Sequence, residues 1–227
     1  MVAWEPWELL LTQLDVERIG VRDGDTLVRL PGERPDGIPR FYVAALGHAV
    51  HRFYRWDVPP AVRDELAALP LQQARSDHAT VRRILARHAP CDTIWSGVSY
   101  HFPPHGVTGA EYADVVALGQ PESALIQRFD PELTSFEQPV YAVVCDGEIV
   151  SACVSTRETA RAGEAWVQTA PAHRGRGYAR RVTAAWGHAL TQRGKIAYYS
   201  HAQDNAASAG VARSLGLTAY LRDVGYS

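Results

Sequence analysis

Trp166-Val167-Gln168-Thr169-Ala170-Pro171-Ala172-His173-Arg174-Gly175-Arg176-Gly177-Tyr178-Ala179-Arg180-Arg181 is the stretch on which the fold turns. It reads as a strand, a turn marked by Pro171, a glycine-rich loop and the start of a helix. Two glycines at alternate positions let the backbone pass close to a ligand, because neither presents a Cβ. The helix behind them aims its unpaired N–H groups and the positive end of its dipole into the loop, which suits a phosphate or pyrophosphate. The stretch therefore predicts an anion cradle between a strand and a helix.

Other glycine-rich loops fit less well. A dinucleotide site needs a third glycine where Arg180 stands, and an acidic residue about twenty positions on, where the chain reads Gly194 to Ile196. A P-loop needs Gly-Lys-Ser/Thr, and no lysine is present here. Downstream, Tyr178, Val182, Ala185, Trp186, Ala189 and Leu190 recur at helical spacing and Arg193-Gly194 closes the helix. Ile196 to Ser200 predicts a strand, Asn205 caps a short helix, and Leu217 to Val224 predicts the last strand. Upstream, Val140 to Cys145 and Ile149 to Ser155 flank Asp146-Gly147, a hairpin signal, and Glu164 to Thr169 forms the next strand. Strands joined alternately by hairpins and helices describe an α/β (α+β) fold with a mixed central sheet flanked by helices.

The turn Asp130-Pro131-Glu132 divides the chain into an α/β region over 1–130 and the crisper pattern over 131–227. In the first region Trp4 to Leu14, Val62 to Leu69 and His78 to Arg87 read as helices. Thr26 to Leu30, Phe41 to Leu46 and Thr93 to Phe102 read as strands, with a Pro/Gly-rich turn from Pro31 to Pro39. By position this region is expected to wall the substrate side of a cleft, with Trp95, Tyr100, His101 and Phe102 as its most suggestive segment. That segment suits a core strand equally well.

A net charge of −2 over 227 residues gives no electrostatic argument for nucleic acid or an anionic membrane surface. Lys195 is the single lysine, a skew that a GC-rich coding bias accounts for. Cys91, Cys145 and Cys153 lack metal spacing, and the last two fall on apolar strand patterns, so buried thiols in a reducing compartment are expected. No apolar run reaches membrane-spanning length and the acidic N-terminus does not resemble a signal peptide, which predicts a cytoplasmic protein. Pro103 and Pro104 break the His101-x3-His105 pair, and His48 and His51 lack partners, so no metal site is expected.

Three segments carry a resemblance. Arg174-x-x-Gly177-x-Ala179, Asn205-Ala-Ala-Ser208 with Arg213-Ser214-Leu215-Gly216-Leu217, and the strand Glu148 to Ser155 are together similar to the Gcn5-related N-acetyltransferases, the GNAT superfamily, over about residues 139–224. The resemblance implies acetyl-CoA as cosubstrate. The Val167, Gln168 and Thr169 backbone would follow the pantetheine arm and supply an N–H to the developing oxyanion. Arg174, Gly175, Arg176, Gly177, Tyr178, Ala179 and Arg180 would wrap the pyrophosphate, and Asn205 and Ser208 would contact the arm. Arg181 is either a phosphate partner or part of a solvated face. Glu164 takes the place of the family's glutamate base, and otherwise it is an ordinary strand-end acid. Alternation puts it on the same face as Trp166 and Gln168.

The sequence departs from the family at Ala212, where many members carry a tyrosine that protonates the leaving thiolate. The thiolate leaves unprotonated, or Ser208, Tyr198, Tyr199 or Tyr220 replaces that tyrosine. The expected activity is transfer of an acetyl or longer acyl group to an amine of a small molecule or peptide, by direct attack in a ternary complex. The alternative is an acyl-CoA-binding sensor or scaffold without turnover. A homodimer is left open.

Overall fold

The computed structural model describes residues 4–31, 37–107 and 112–227. The elements run α1 (Pro6–Val16), β1 (Ile19–Arg22), β2 (Thr26–Arg29), β3 (Phe41–Leu46), β4 (Ala49–Arg55), α2 (Pro60–Ala68), α3 (Leu71–Ser76), α4 (His78–Leu85), β5 (Ile94–His101), β6 (Val115–Leu118), α5 (Ser123–Phe129), β7 (Glu137–Cys145), β8 (Glu148–Glu158), β9 (Ala162–Thr169), α6 (Tyr178–Gln192), β10 (Ile196–Ala202), α7 (Ala206–Ser214) and β11 (Ala219–Tyr226). Of the Pro31 to Pro39 turn, residues 32–36 lie outside the described residues. Among the described residues no helix is long and apolar enough to cross a membrane.

The chain forms two compact units, one of Met1–Ser99, Ala202–Asp204 and Ala219–Ser227, the other of Tyr100–His201 and Asn205–Thr218. This division differs from the one drawn at residue 130. Asp130 does open a turn over Pro131–Ser135, its carboxylate accepting the Glu132 N–H at 2.9 Å. Yet β6 pairs antiparallel with β7, and Leu118 and Ile126 share a core with Leu133, Val140 and Val154, which ties residues on both sides of the turn into one unit.

In the first unit β3 is buried along its whole length, and the two-residue period of a strand explains why. Phe41 and Val43 pack with Leu66, Val81 and Ile84 on the side of α2 to α4, while Tyr42, Ala44 and Leu46 pack with Leu10 and Leu14 of α1. β11 pairs antiparallel with β3 and carries Asp223 into the interior, where Tyr42 Oη donates to its Oδ2 at 2.5 Å. Burial pushes the Asp223 carboxyl up to about 7. A folded-state value above the unfolded carboxylate range means that this group's stabilisation is complete below about pH 4 and is lost as pH rises through about 7. Asp223→Asn should therefore flatten the decline in stability between about pH 4 and pH 7, read as the shift of the urea midpoint in parent and variant. An equal shift in both would show that Asp223 is already ionised when folded.

In the second unit the order is β10-β9-β8-β7-β6, antiparallel except for the parallel β9–β10 pair. Asp146 and Gly147 join β7 to β8 with φ of 51° and 78°, the two positive values that a tight hairpin turn needs. One sheet face packs on α6 through Val150, Cys153, Val182, Trp186 and Leu190, the other on α5 through Ile126, Ala152 and Val154. Gly187 lets α6 press against Phe102, since a Cβ there would meet that ring at 2.3 Å. Of the two cysteines on apolar strand patterns, Cys153 is buried as expected, whereas Cys145 is half-buried, its Sγ 3.9 Å from Tyr178 Oη; Cys91 is buried as well.

Candidate functional site

The site begins where two neighbouring strands part. β9 pairs with β10 only at Ala162↔Ile196, Gly163↔Ala197 and Glu164↔Tyr198, so residues 165–169 keep β8 as a partner and face an opening on the other side. The Ala170 N–H is spent on Val150 O, and Gln168 O accepts from Ser151 Oγ, both toward β8. Backbone groups alternate along a strand, so the N–H and C=O of Val167 and Thr169 point into the opening. The Thr169 carbonyl there accepts from Arg174 Nε, and the Val167 groups with the Thr169 N–H form a strand edge suited to an extended amide-bearing chain and to an oxygen that gains negative charge.

Below the opening the chain turns through Pro171–His173 and enters the loop. Arg174 Nε donates to Thr169 O at 3.3 Å and holds the loop to the strand end. Gly175 and Gly177 both have φ of +76°, and a Cβ on either would project into open space. That combination makes a left-handed cradle whose inner surface is bare backbone. Gly177 caps α6 with no side-chain hydrogen bond, which leaves the first-turn N–H groups to serve a ligand.

The opposite wall is α7. Asn205 Oδ1 accepts the Ser208 N–H at 3.0 Å and so starts the helix as an N-cap. Ala207, Gly210, Val211 and Ser214 then follow at helical spacing and line the space. Arg180 of α6 spans to this helix, its Nε donating to Ser214 O at 3.1 Å, and so a cation stands at the rim.

Strand, loop and helix enclose a cavity of about 860 Å³. Its lining includes Val167, Gln168, Thr169, Arg174, Gly175, Gly177, Tyr178, Ala179, Arg180, Asn205 and Ser208, which is every cofactor residue expected from the sequence except Arg176. Arg176 is exposed and lies outside the lining. Arg181 is engaged elsewhere, paired with Asp114 at 2.5 Å and stacked over the Tyr178 ring at 4.5 Å. His173, which the sequence reading passed over, also lines the cavity.

Glu164 does not line it. Its residue is 8% exposed and its Oε1 accepts from Ser200 Oγ at 2.6 Å. Opposite it β8 bulges at Thr156, for Ser155 pairs with Ala165 but Arg157 with Glu164, and Thr156 Oγ1 donates to Glu164 O at 3.3 Å. A bulge of this kind re-aims the side chains beside it. On the same face, Trp166 meets Phe136 edge to face at 6.0 Å.

The substitutes for the missing tyrosine separate clearly. Ala212 is fully buried among Tyr199, Leu215 and Leu217 and does not face the cavity. Tyr198 is fully buried, and Tyr220 belongs to the first unit, where its hydroxyl donates to Gln13. Tyr199 donates to Ser208 O at 3.2 Å, and burial pushes its hydroxyl up to about 12. Of the four, Ser208 alone lines the cavity. Tyr100 Oη lies 3.3 Å from His201 Nε2 and His101 Nδ1 lies 3.0 Å from Phe102 O, both outside the lining. Among the described residues no group of three or more His, Cys, Asp or Glu could hold a metal ion.

The family model for GNAT acetyltransferases matches residues 139–221, which hold the strand, the loop and the Asn205 helix. A GNAT-family acetyltransferase from Colwellia psychrerythraea is similar in fold, with TM-score 0.50 and 13% identity over 92% of this chain and 79% of its own. A structure assigned to the same family from Novosphingobium aromaticivorans is 20% identical with TM-score 0.49, over 60% of this chain and 65% of that one, so the match spans just under two thirds of that protein. A Staphylococcus epidermidis protein of unknown function is similar at TM-score 0.50 and 7% identity, over 67% of each chain. No curated protein matches.

Proposed function

We propose that this chain, whose residues 139–221 match the GNAT acetyltransferase family model, moves an acetyl group from acetyl-CoA to an amine in the cytoplasm by direct attack in a ternary complex. The observation that carries the reading is the single cavity into which β9, the Gly175–Gly177 loop and α7 bring their residues. A cradle of bare backbone at a helix start fits a pyrophosphate, and the unpaired edge of β9 fits the amide-bearing arm. Its volume lies within the usual range of small-molecule sites.

When bound, acetyl-CoA supplies a thioester carbonyl as the electrophile. The Val167 N–H, on the open edge of β9, would donate to the carbonyl oxygen as it gains charge when the amine nitrogen bonds to its carbon. Glu164, roughly 10 Å up the strand at about 3.3 Å per residue, takes the proton that the nitrogen sheds, with water spanning the gap. Ser208, which lines the cavity, would offer its hydroxyl to the sulfur released as the C–S bond breaks. Arg180 and the first turn of α6 hold the phosphates and keep the reacting carbon in register. The acceptor approaches from the face of β9 that carries Glu164, and it is an amine of a small molecule or peptide.

Free thiol released from acetyl-CoA, measured against a panel of polyamines, aminoglycosides and peptides, tests this. Release that depends on one class of amine is expected. A second reading, an acyl-CoA-binding sensor, is favoured by Ala212, which is buried and outside the lining at the position where many family members carry a tyrosine. Tight acetyl-CoA binding with no amine-dependent release from any member of the panel would select it.

A further inference from the structure

Ser200 lies just past the point where β9 and β10 part. The last registered pair is Glu164↔Tyr198, and Ser200, two residues on, points to the same face as Tyr198 and so to the side of Glu164. With no β9 residue registered opposite it, its hydroxyl reaches across the start of the opening and donates to Glu164 Oε1 at 2.6 Å. That length lies in the range of a strong hydroxyl bond to a carboxyl oxygen. The other side of Glu164 is pinned by the Thr156 bulge, whose hydroxyl takes the Glu164 carbonyl. Backbone and carboxylate are thus each fixed by a hydroxyl from a different neighbouring strand.

We infer that Ser200 is a positioning residue for the Glu164 carboxylate, fixing its rotamer and favouring its ionised form so that it receives the amine's proton through water as a base. The inference rests on the reading of Glu164 as that base. A group that bonds the anion must lower the pH at which the anion is neutralised. When Glu164 takes a proton from the amine, the carboxyl gains an O–H and loses its charge. The Ser200 hydroxyl can then turn and accept, so the same contact serves both protonation states. A strand serine whose bond merely filled space would not couple to protonation.

The test uses the full chain labelled with ¹³C at glutamate carboxyls and titrated by NMR. The Glu164 resonance is identified by its loss in Glu164→Gln. In Ser200→Ala its midpoint should rise by about one pH unit, and in Ser200→Thr it should return toward the parent. Acetyl-CoA affinity, measured by calorimetry, should be the same in all. Where an amine from the panel supports turnover, the acidic limb of the rate profile should move with the midpoint. If Ser200→Ala fails to fold, Ser200→Cys keeps the volume with a weak donor and should give a rise in the same direction. An unmoved midpoint in the folded variant overturns the role of Ser200, even where Glu164→Gln abolishes turnover and the base stands. Full turnover in Glu164→Gln overturns the base and this inference with it.

Discussion

Gly177→Val should weaken acetyl-CoA binding by at least about a hundredfold, close to 3 kcal/mol. Two effects act together. Gly177 sits at φ +76°, where a β-branched residue is strained, and relief of that strain would swing the loop away from its cradle shape. A valine that kept the shape would place its side chain in the open space where the backbone must meet the pyrophosphate. Strain alone would also lower stability, so a control is needed. Gly194 shares the geometry, with φ +72° and open space, but it closes α6 at the far end from the cavity. Gly194→Val should cost thermal stability and leave affinity intact. Calorimetric titration of both folded variants separates the effects, and parent-like affinity in Gly177→Val would remove the cradle from the account.

Glu164→Gln should reduce kcat by about a hundredfold or more and remove the acidic limb of the pH–rate profile. Glutamine keeps the size and can still accept from Ser200, so the fold around the bulge is expected to hold. Because Glu164 lies outside the cavity lining, acetyl-CoA affinity should not change. A kcat loss with unchanged affinity is the mark of a group needed in the transition state alone. An acidic limb that survives would mean that another group takes the proton.

Much of the second unit was legible because its signals are local. Asp146-Gly147 states its own backbone geometry, and Asn205 and the run from Arg174 to Ala179 place a cap and a loop by spacing alone. The wall of α7 was legible too, since Ala207, Gly210, Val211 and Ser214 follow Asn205 at helical intervals, although only Asn205 and Ser208 were marked as contacts.

The rest depended on contacts distant in sequence. β4 was missed because His51 and Arg52 interrupt its apolar pattern, yet both have structural partners, His51 against Trp7 and Arg52 on carbonyls at the end of α2. β6 spans four residues and α5 seven, too few to show a period. The Asp130 turn looked like a boundary because Pro and Asp mark turns wherever they fall, while membership of a unit is decided by packing. A lone serine on a strand has no spacing to betray it, so Ser200 became visible only when the fold brought it across 36 positions to Glu164.

The most direct test of the central claim is an amide NMR titration of the full ¹⁵N-labelled chain with acetyl-CoA. Saturable shifts are expected at Val167, Thr169 and Gly175 to Arg180, with Ser208 responding from α7 and the amides of β1 to β4 unmoved. Shifts confined to other residues, or none at saturating ligand, would contradict it.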